Sequence, residues 1–319
     1  MGQDFFTHMP PGVLEQLASL QFELDHPRAD KAMRELLNRT VLMGGKRLRP
    51  LLTYLMGHFF KLPLADLDVL ARSVEQVHAA SLAHDDVIDN ATTRRNAPSI
   101  NILGSNKKAV LAGDYLLADV IVNLAKLENP NLVAEMARVI QELAHGEWIQ
   151  WDAVLERSID EDRLEKIARF KTASVMSWCA VAPAMLAKLD PKIIQTAKVF
   201  AEHLGLCFQL MDDTLDHSEN SQKDQNLDLQ NEQINSVLYA WMQAHPEKWQ
   251  AYQQGEPLAS LTAGGDFSAA REKVQAQASE HLNAARAGLE SLKTLYPSYE
   301  KAAVPALEVI MSYLEERKF

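Results

Sequence analysis

Apolar residues recur at intervals of three and four through most of the chain, the repeat of helices that bury one face. Alternating strand-like runs joined by Asn-Gly or Asp-Gly turns are absent, so the pattern predicts an all-α protein. The intervals place helices at about 12–24, 30–43, 47–60, 66–90, 107–127, 131–156, 161–188, 191–217, 233–244, 268–294 and 299–317. Pro10-Pro11, Gly44-Gly45, Pro63, Pro98, Pro130, Pro191 and Pro297 punctuate them, as helix breakers and first-turn residues do. The Gly-, Pro-, Ser- and Thr-rich segment 254–267 reads as a loop inside the fold, and no internal repeat is evident.

Composition narrows this picture. With 319 residues and 47% hydrophobic content, the chain can bury a substantial core. A formal net charge of −11 argues against a nucleic-acid partner, so any binding of phosphate must come from local basic clusters. The two cysteines, Cys179 and Cys207, sit in apolar runs where a thiol behaves as a small buried hydrophobe, which fits a reducing, cytoplasmic compartment. The N-terminal MGQDFFTHMPPG has neither a basic nor an apolar leader region, and Phe6 stands where an acylation signal wants Ser or Thr. No run approaches the roughly 18 apolar residues of a membrane span, so no transmembrane segment is expected.

Two acidic clusters interrupt apolar helices. In VEQVHAASLAHDDVIDNATTRR, Asp85, Asp86 and Asp89 lie near the C-terminal end of a helix, where the dipole disfavours anions. Asp85 and Asp89 share one face a turn apart, with His78 on the same stripe. Like charges at that spacing repel, so a cation should compensate them, and a hard divalent ion completed by phosphate oxygens would do so. Arg94 and Arg95 follow, and their planar guanidiniums suit a diphosphate. The arrangement returns in GLCFQLMDDTLDHSENSQK, where Gln209, Asp212 and Asp216 form a polar stripe beside Asp213 on a core-like helix. One such cluster could be an ordinary solvated helix end, but two on buried helices imply opposed carboxylates around a shared cavity. Gly44-Gly45-Lys46-Arg47-Leu48-Arg49-Pro50 then converges flexible backbone, helix N-terminal amides and three cations, a second place for a diphosphate.

Taken together, GGKRLRP, HDDVIDNATTRR, GEWIQW, KTA and FQLMDDTLD resemble the ordered signatures of the trans-isoprenyl diphosphate synthase family, over roughly residues 40–230. The resemblance implies a single helical domain over residues 1–319, a bundle of the isoprenoid synthase type with a central cavity. It implies a prenyltransferase that joins isopentenyl diphosphate to an allylic diphosphate. By that resemblance Asp85, Asp89 and Asp212 bind Mg²⁺, about three ions in all. Lys46, Arg47, Arg49, His78 and Arg95 hold isopentenyl diphosphate; Arg94, Lys171 and Lys223 contact the allylic diphosphate; Thr172 and Gln209 line the reaction centre. Asp86, Asp213 and Asp216 complete the expected catalytic carboxylates.

The sequence departs from the family pattern at Asn96, where a glycine is common, at Gln222-Lys223, and at Gln233 and Asn235, where a lysine and a threonine are common. Small residues at Ala80 and Ser81, about one turn before Asp85, predict a tail channel open to products longer than about four isoprene units. Leu117, Ile121 and Leu124 are candidates for the channel floor. Such a product would suit a quinone side chain; a short-chain farnesyl or geranylgeranyl synthase is the alternative. Terpene cyclases share one aspartate-rich helix but not the paired motifs and basic loop. A non-catalytic partner subunit should have lost its metal carboxylates. Long apolar helices favour a homodimer.

Overall fold

The computed structural model describes residues 7–22, 30–95, 97–217 and 229–315. Short helices α1 (Val13–Ser19) and α2 (Lys31–Arg39) lead into α3 (Leu48–Phe59) and the long α4 (Asp68–Ile88). A two-residue antiparallel pair, β1 (Thr93–Arg94) with β2 (Ala97–Pro98), and α5 (Ile100–Leu103) connect α4 to α6 (Asn106–Ala125). Helix α7 (Pro130–Glu156), α8 (Glu161–Ala168), a π-helical turn (Arg169–Ala173), α9 (Ser174–Leu186) and α10 (Pro191–Asp216) follow. Beyond residue 229 come α11 (Ser236–Ala244), α12 (Pro246–Gln253), α13 (Leu258–Thr262), α14 (Ser268–Leu295) and α15 (Ala303–Glu315). Among the described residues the fold is all-α apart from the four residues of the β1–β2 pair.

The helix starts follow local chemistry. Asp30, Ser105, Asn129, Asp160 and Asp190 each accept a hydrogen bond from a first-turn amide of α2, α6, α7, α8 and α10. Pro130 and Pro191 occupy first-turn positions, where no amide is missed. Helix α9 is apolar on every side, and a helix of that kind is stable only at the centre of a bundle. Its residues from Ser174 to Ala184 are all buried, and Trp178 donates through Nε1 to the Leu70 carbonyl at 3.3 Å. Around it pack helices α3, α4, α7 and α10, and the same apolar core, which includes Leu52, Leu55, Val74, Val77, Phe200 and Leu204, continues beyond α10 and α3 through Leu282 and Leu289 of α14 and Ile310 of α15. Cys179 and Cys207 are buried and unpaired, and burial pushes both thiols up to about 12.

Three features differ from the periodicity reading. The expected single helix 161–188 is broken by the π-helical turn at Arg169–Ala173. Here α7 and α10 come unusually close: a Cβ on Gly146 would lie 2.7 Å from Lys171 Cγ, and one on Gly205 would lie 2.5 Å from Ala173 Cα. Helix α12 and the short α5 were not expected, and α13 lies inside the segment 254–267 expected to be loop. Such short elements carry too few apolar repeats to register as periodicity. Asn96, Gln222 and Lys223 lie outside the described residues.

Candidate active site

A cavity of about 860 Å³ opens between α4, α7, the π-turn and α10; Asp85 of the first acidic cluster and all three aspartates of the second line it, whereas Asp86 and Asp89 do not. Asp85 contributes from α4; Asp212, Asp213 and Asp216 contribute from α10; Arg49, His78, Lys171, Thr172 and Gln209 line the same wall. Its apolar part is built by Val77, Leu117, Ile140, Leu143 and Phe208, with Ser81 among them, and Trp148 and Trp151 stand at the exposed side. The helices thus bring together the residues that sequence alone could only place on separate faces.

The three carboxylates of the first cluster take different roles. Asp85 faces the cavity, and burial, with the charges of Glu147 and Asp89 against the opposing Lys171, pushes its carboxyl up to about 7. Asp89 is also raised, chiefly by burial and by Glu147, and its Oδ1 accepts from Gln233 Nε2 at 3.1 Å and Asn231 Nδ2 at 3.4 Å. Asp86, expected among the catalytic carboxylates, is not part of the cavity wall. It is fully buried, and its Oδ1 accepts from Arg94 Nε at 2.6 Å while Oδ2 accepts from the Ile100 amide at 3.3 Å. An adjacent residue on a helix points about 100° away, so Asp85 and Asp86 cannot face the same space. Arg94 is accordingly engaged with Asp86 rather than in the cavity wall.

The second cluster is organised by a chain of hydrogen bonds. Thr172 Oγ1 donates to Gln209 Oε1 at 2.5 Å, Gln209 Nε2 donates to Asp213 Oδ1 at 2.8 Å, and the Ser236 amide donates to Asp213 Oδ2 at 3.0 Å. Asp213 is therefore a buried bracket that fixes Gln209 and the start of α11, and burial raises its carboxyl despite these bonds. Lys171 pairs with Glu147 and donates to Gln150 Oε1 at 2.9 Å. Burial pulls its ammonium down, but Glu147, Asp85 and Asp89 outweigh that and hold it charged above its ordinary range. Glu147, from the GEWIQW segment, thus adds its charge to the balance around Asp85, while Gln150 of the same segment holds Lys171, contacts that the sequence did not reveal.

The basic loop is held by arginines as much as it presents them. Gly44 and Gly45 adopt φ of 71° and 90°, and the Arg95 guanidinium lies against them, with Nη1 donating to the Met43 carbonyl. Arg47, itself at φ 52°, donates to Glu75 Oε1 and the Leu42 carbonyl, each at 2.5 Å, and stacks over Phe22. Lys46 donates to Tyr313 Oη at 3.0 Å. Of the expected diphosphate ligands here, Arg49 and His78 line the cavity, whereas Lys46 and Arg47 of the basic loop, and Arg95 of the β1–β2 turn that lies against it, do not. His78 is held neutral: burial, reinforced by Arg49, Arg95, Arg94 and Arg47, depresses its imidazole well below the ordinary value.

Of the two chain-length candidates, Ser81 lines the cavity, its hydroxyl bonded back to the His78 carbonyl at 2.9 Å. Ala80 does not. It is fully buried in a separate cluster with Leu37, Ala109, Ala112 and Leu116, because the two residues point to different sides of α4. Leu117 reaches the cavity, while Leu124 belongs to the main core and Ile121 is half-buried outside the cavity wall.

The donor set fits a hard divalent cation: carboxylate oxygens from two helices share one cavity, and Asp85 lacks enough positive charge to ionise easily. Among the described residues no three His, Cys, Asp or Glu side chains form a ready-made ion cage. Mg²⁺ needs none when one or two carboxylates are completed by water and phosphate oxygens.

A family model described as polyprenyl synthetase matches residues 30–258, and the chain belongs to that family. It is similar to the mitochondrial solanesyl-diphosphate synthase 1 of Oryza sativa subsp. japonica, 34% identical over 272 residues, 78% of this chain and 63% of that protein. The chain spans less than two-thirds of the length of the curated relatives it matches. Its fold is shared with a decaprenyl diphosphate synthase from Rhodobacter capsulatus at a TM-score of 0.82 and 23% identity, covering 96% of this chain and 97% of the other. A polyprenyl synthase from Caulobacter crescentus, crystallised with calcium and isoprenyl diphosphate, superposes at a TM-score of 0.80 and 24% identity over 97% and 94% of the two chains.

Proposed function

We propose that this chain is an all-trans polyprenyl diphosphate synthase that adds isopentenyl diphosphate to an allylic diphosphate with Mg²⁺. The observation that carries the reading is the meeting of Asp85 with Asp212 and Asp216 in one cavity that continues into an apolar stretch of Val77, Leu117, Ile140, Leu143 and Phe208. The names of its relatives, which include solanesyl and decaprenyl synthases, support a long product. The calcium and isoprenyl diphosphate in the Caulobacter protein support a divalent ion and a prenyl diphosphate as ligands.

Asp85 and Asp212 of the cavity wall, with Asp89 beside it under the charges of Glu147 and Lys171, would hold the metal, about three ions, which when bound would neutralise the departing allylic diphosphate. Lys171, kept charged by Glu147, adds a cation from the π-helical turn and would exchange Glu147 for a phosphate oxygen. Thr172 and Gln209, locked by Asp213, present oxygen atoms beside the position where the allylic carbon becomes cationic. Arg49 and neutral His78, with Lys46 and Arg47 of the basic loop and Arg95 of the β1–β2 turn, would hold the second diphosphate, His78 as a hydrogen-bond donor without charge. The isopentenyl double bond attacks the allylic carbon, and the proton lost from the new chain goes to the departed diphosphate.

The growing tail would run from Asp85 past Ser81 and Leu117, with Val77, Ile140 and Leu143 excluding water. A homodimer is part of the proposal, supported by the exposed Val110, Leu111 and Val122 on α6. A cytoplasmic setting is supported by the unpaired cysteines. No helix among the described residues is long and apolar enough to cross a membrane. Chromatography of dephosphorylated products from isopentenyl diphosphate and primers of several lengths tests the reading: products beyond about four isoprene units support it, while short products alone would replace it with the short-chain alternative.

A further inference from the structure

Residues 231–236, leading into α11, bridge the two acidic clusters. Asn231 Nδ2 and Gln233 Nε2 donate to Asp89 Oδ1 at 3.4 and 3.1 Å, and Asn231 Nδ2 also lies 3.3 Å from the Asp89 carbonyl. Five residues after Asn231, the Ser236 amide donates to Asp213 of the other cluster. Between the two amides, Glu232 adopts φ 56°, so a left-handed turn throws its side chain to the other side of the segment. There it pairs with Arg157 Nη2 at 3.2 Å and accepts from the Leu258 amide at 3.3 Å. Arg157, itself at φ 47° where α7 ends, donates to the Tyr252 and Glu256 carbonyls at 2.9 Å and stacks over the Tyr252 ring. Asn235 caps α11 through the Leu238 amide and contacts His217 Nε2 at 3.2 Å.

Both side-chain amides therefore reach the same oxygen of Asp89, and the turn that aims them is anchored at Arg157. A carboxylate fixed through one oxygen presents the other in a defined direction, the way outer hydrogen bonds orient metal-binding carboxylates. A neutral amide does this without cancelling the charge the ion needs. Resting on the proposed function, we infer that Asn231 and Gln233 are positioning residues that fix Asp89 through Oδ1 so that Oδ2 receives the metal, with the Glu232–Arg157 pair holding the turn that aims them.

Calorimetric titration of Mg²⁺ into the full chain holding inorganic pyrophosphate tests this, alongside Tm measured in EDTA. Gln233→Leu and the pair Asn231→Ala/Gln233→Leu should weaken Mg²⁺ binding about 10- to 100-fold, the range for lost outer-shell partners. In turnover, the Mg²⁺ concentration at half-maximal rate should rise by the same factor while kcat recovers at excess Mg²⁺. Glu232→Gln, which loosens the anchor but keeps both amides, should give a smaller shift in the same direction. Unchanged Mg²⁺ affinity in both amide variants overturns the inference, and so does tighter binding, which would make the amides competitors of the ion. Loss of binding that merely tracks a lowered Tm also overturns it. A wild-type chain that binds no Mg²⁺ with pyrophosphate would instead overturn the proposed function.

Discussion

Asp86 accepts a hydrogen bond from Arg94 Nε at 2.6 Å while its neighbour Asp85 faces the cavity, so adjacent acids of one motif do different work. Asp86→Ala leaves Arg94 and the Ile100 amide without their acceptor and should cost on the order of 1–3 kcal/mol, discounted because Arg94 is 29% exposed. Asp85→Asn should leave thermal stability unchanged or improved, because it removes a carboxylate that burial and like charges disfavour, yet it should abolish Mg²⁺-dependent turnover. Parallel melting curves and rate measurements on the two variants check the division.

Ser81 and Ala80 should separate in the same manner. Ser81→Phe places a ring into the cavity and should shorten the products by one or more isoprene units. Ala80→Phe drives a ring into the packed cluster of Leu37, Ala109 and Leu116, and should cost about 1–3 kcal/mol before it alters length. Product chromatography with melting temperatures distinguishes the outcomes.

Gly205→Ala should displace the π-helical turn, since the added methyl meets Ala173 Cα at 2.5 Å. The Thr172–Gln209 bond then loosens, and kcat should fall more steeply than the affinity for isopentenyl diphosphate, which other residues hold. Steady-state kinetics on both substrates measures that split.

A pH effect is expected away from the cavity. His203 and His281 bring their Nδ1 atoms within 3.0 Å between α10 and α14. Burial, then Arg169, depresses His203, and burial, then His203, depresses His281, against the opposing charges of Glu202, Glu165 and Glu280. The unfolded chain therefore binds more protons than the folded one, so this pair contributes stability above the unfolded value of about 6.5 that is lost as pH falls through it. His203→Gln/His281→Gln should flatten the fall in Tm between about pH 7.5 and 5.5 relative to wild type. A slope that does not change would contradict this assignment.

Much of the arrangement was legible in the sequence because long helices leave a long periodic signal. Pro130 and Pro191 marked helix starts, and the repeated acidic stripes placed Asp85, Asp212 and Asp216 on faces that do meet. Three things depended on contacts between distant segments. The π-helical turn exists where Gly146 and Gly205 admit two helices, and Lys171 and Thr172 both reach the cavity from it. Asp86 and Asp213 look like their neighbours in sequence, and only their partners, Arg94 in one case and Gln209 with Ser236 in the other, identify them as brackets. Gln233 read as a departure from the family, yet it bonds Asp89.

The most direct measurement is incorporation of labelled isopentenyl diphosphate into prenyl diphosphates longer than an added allylic primer, with Mg²⁺ and with EDTA. Wild-type protein should elongate the primer only with Mg²⁺, and Asp85→Asn and Asp212→Asn should each reduce the rate by at least about 100-fold. Failure of folded wild-type protein to consume isopentenyl diphosphate with Mg²⁺ present, or wild-type rates in both variants, would contradict the account.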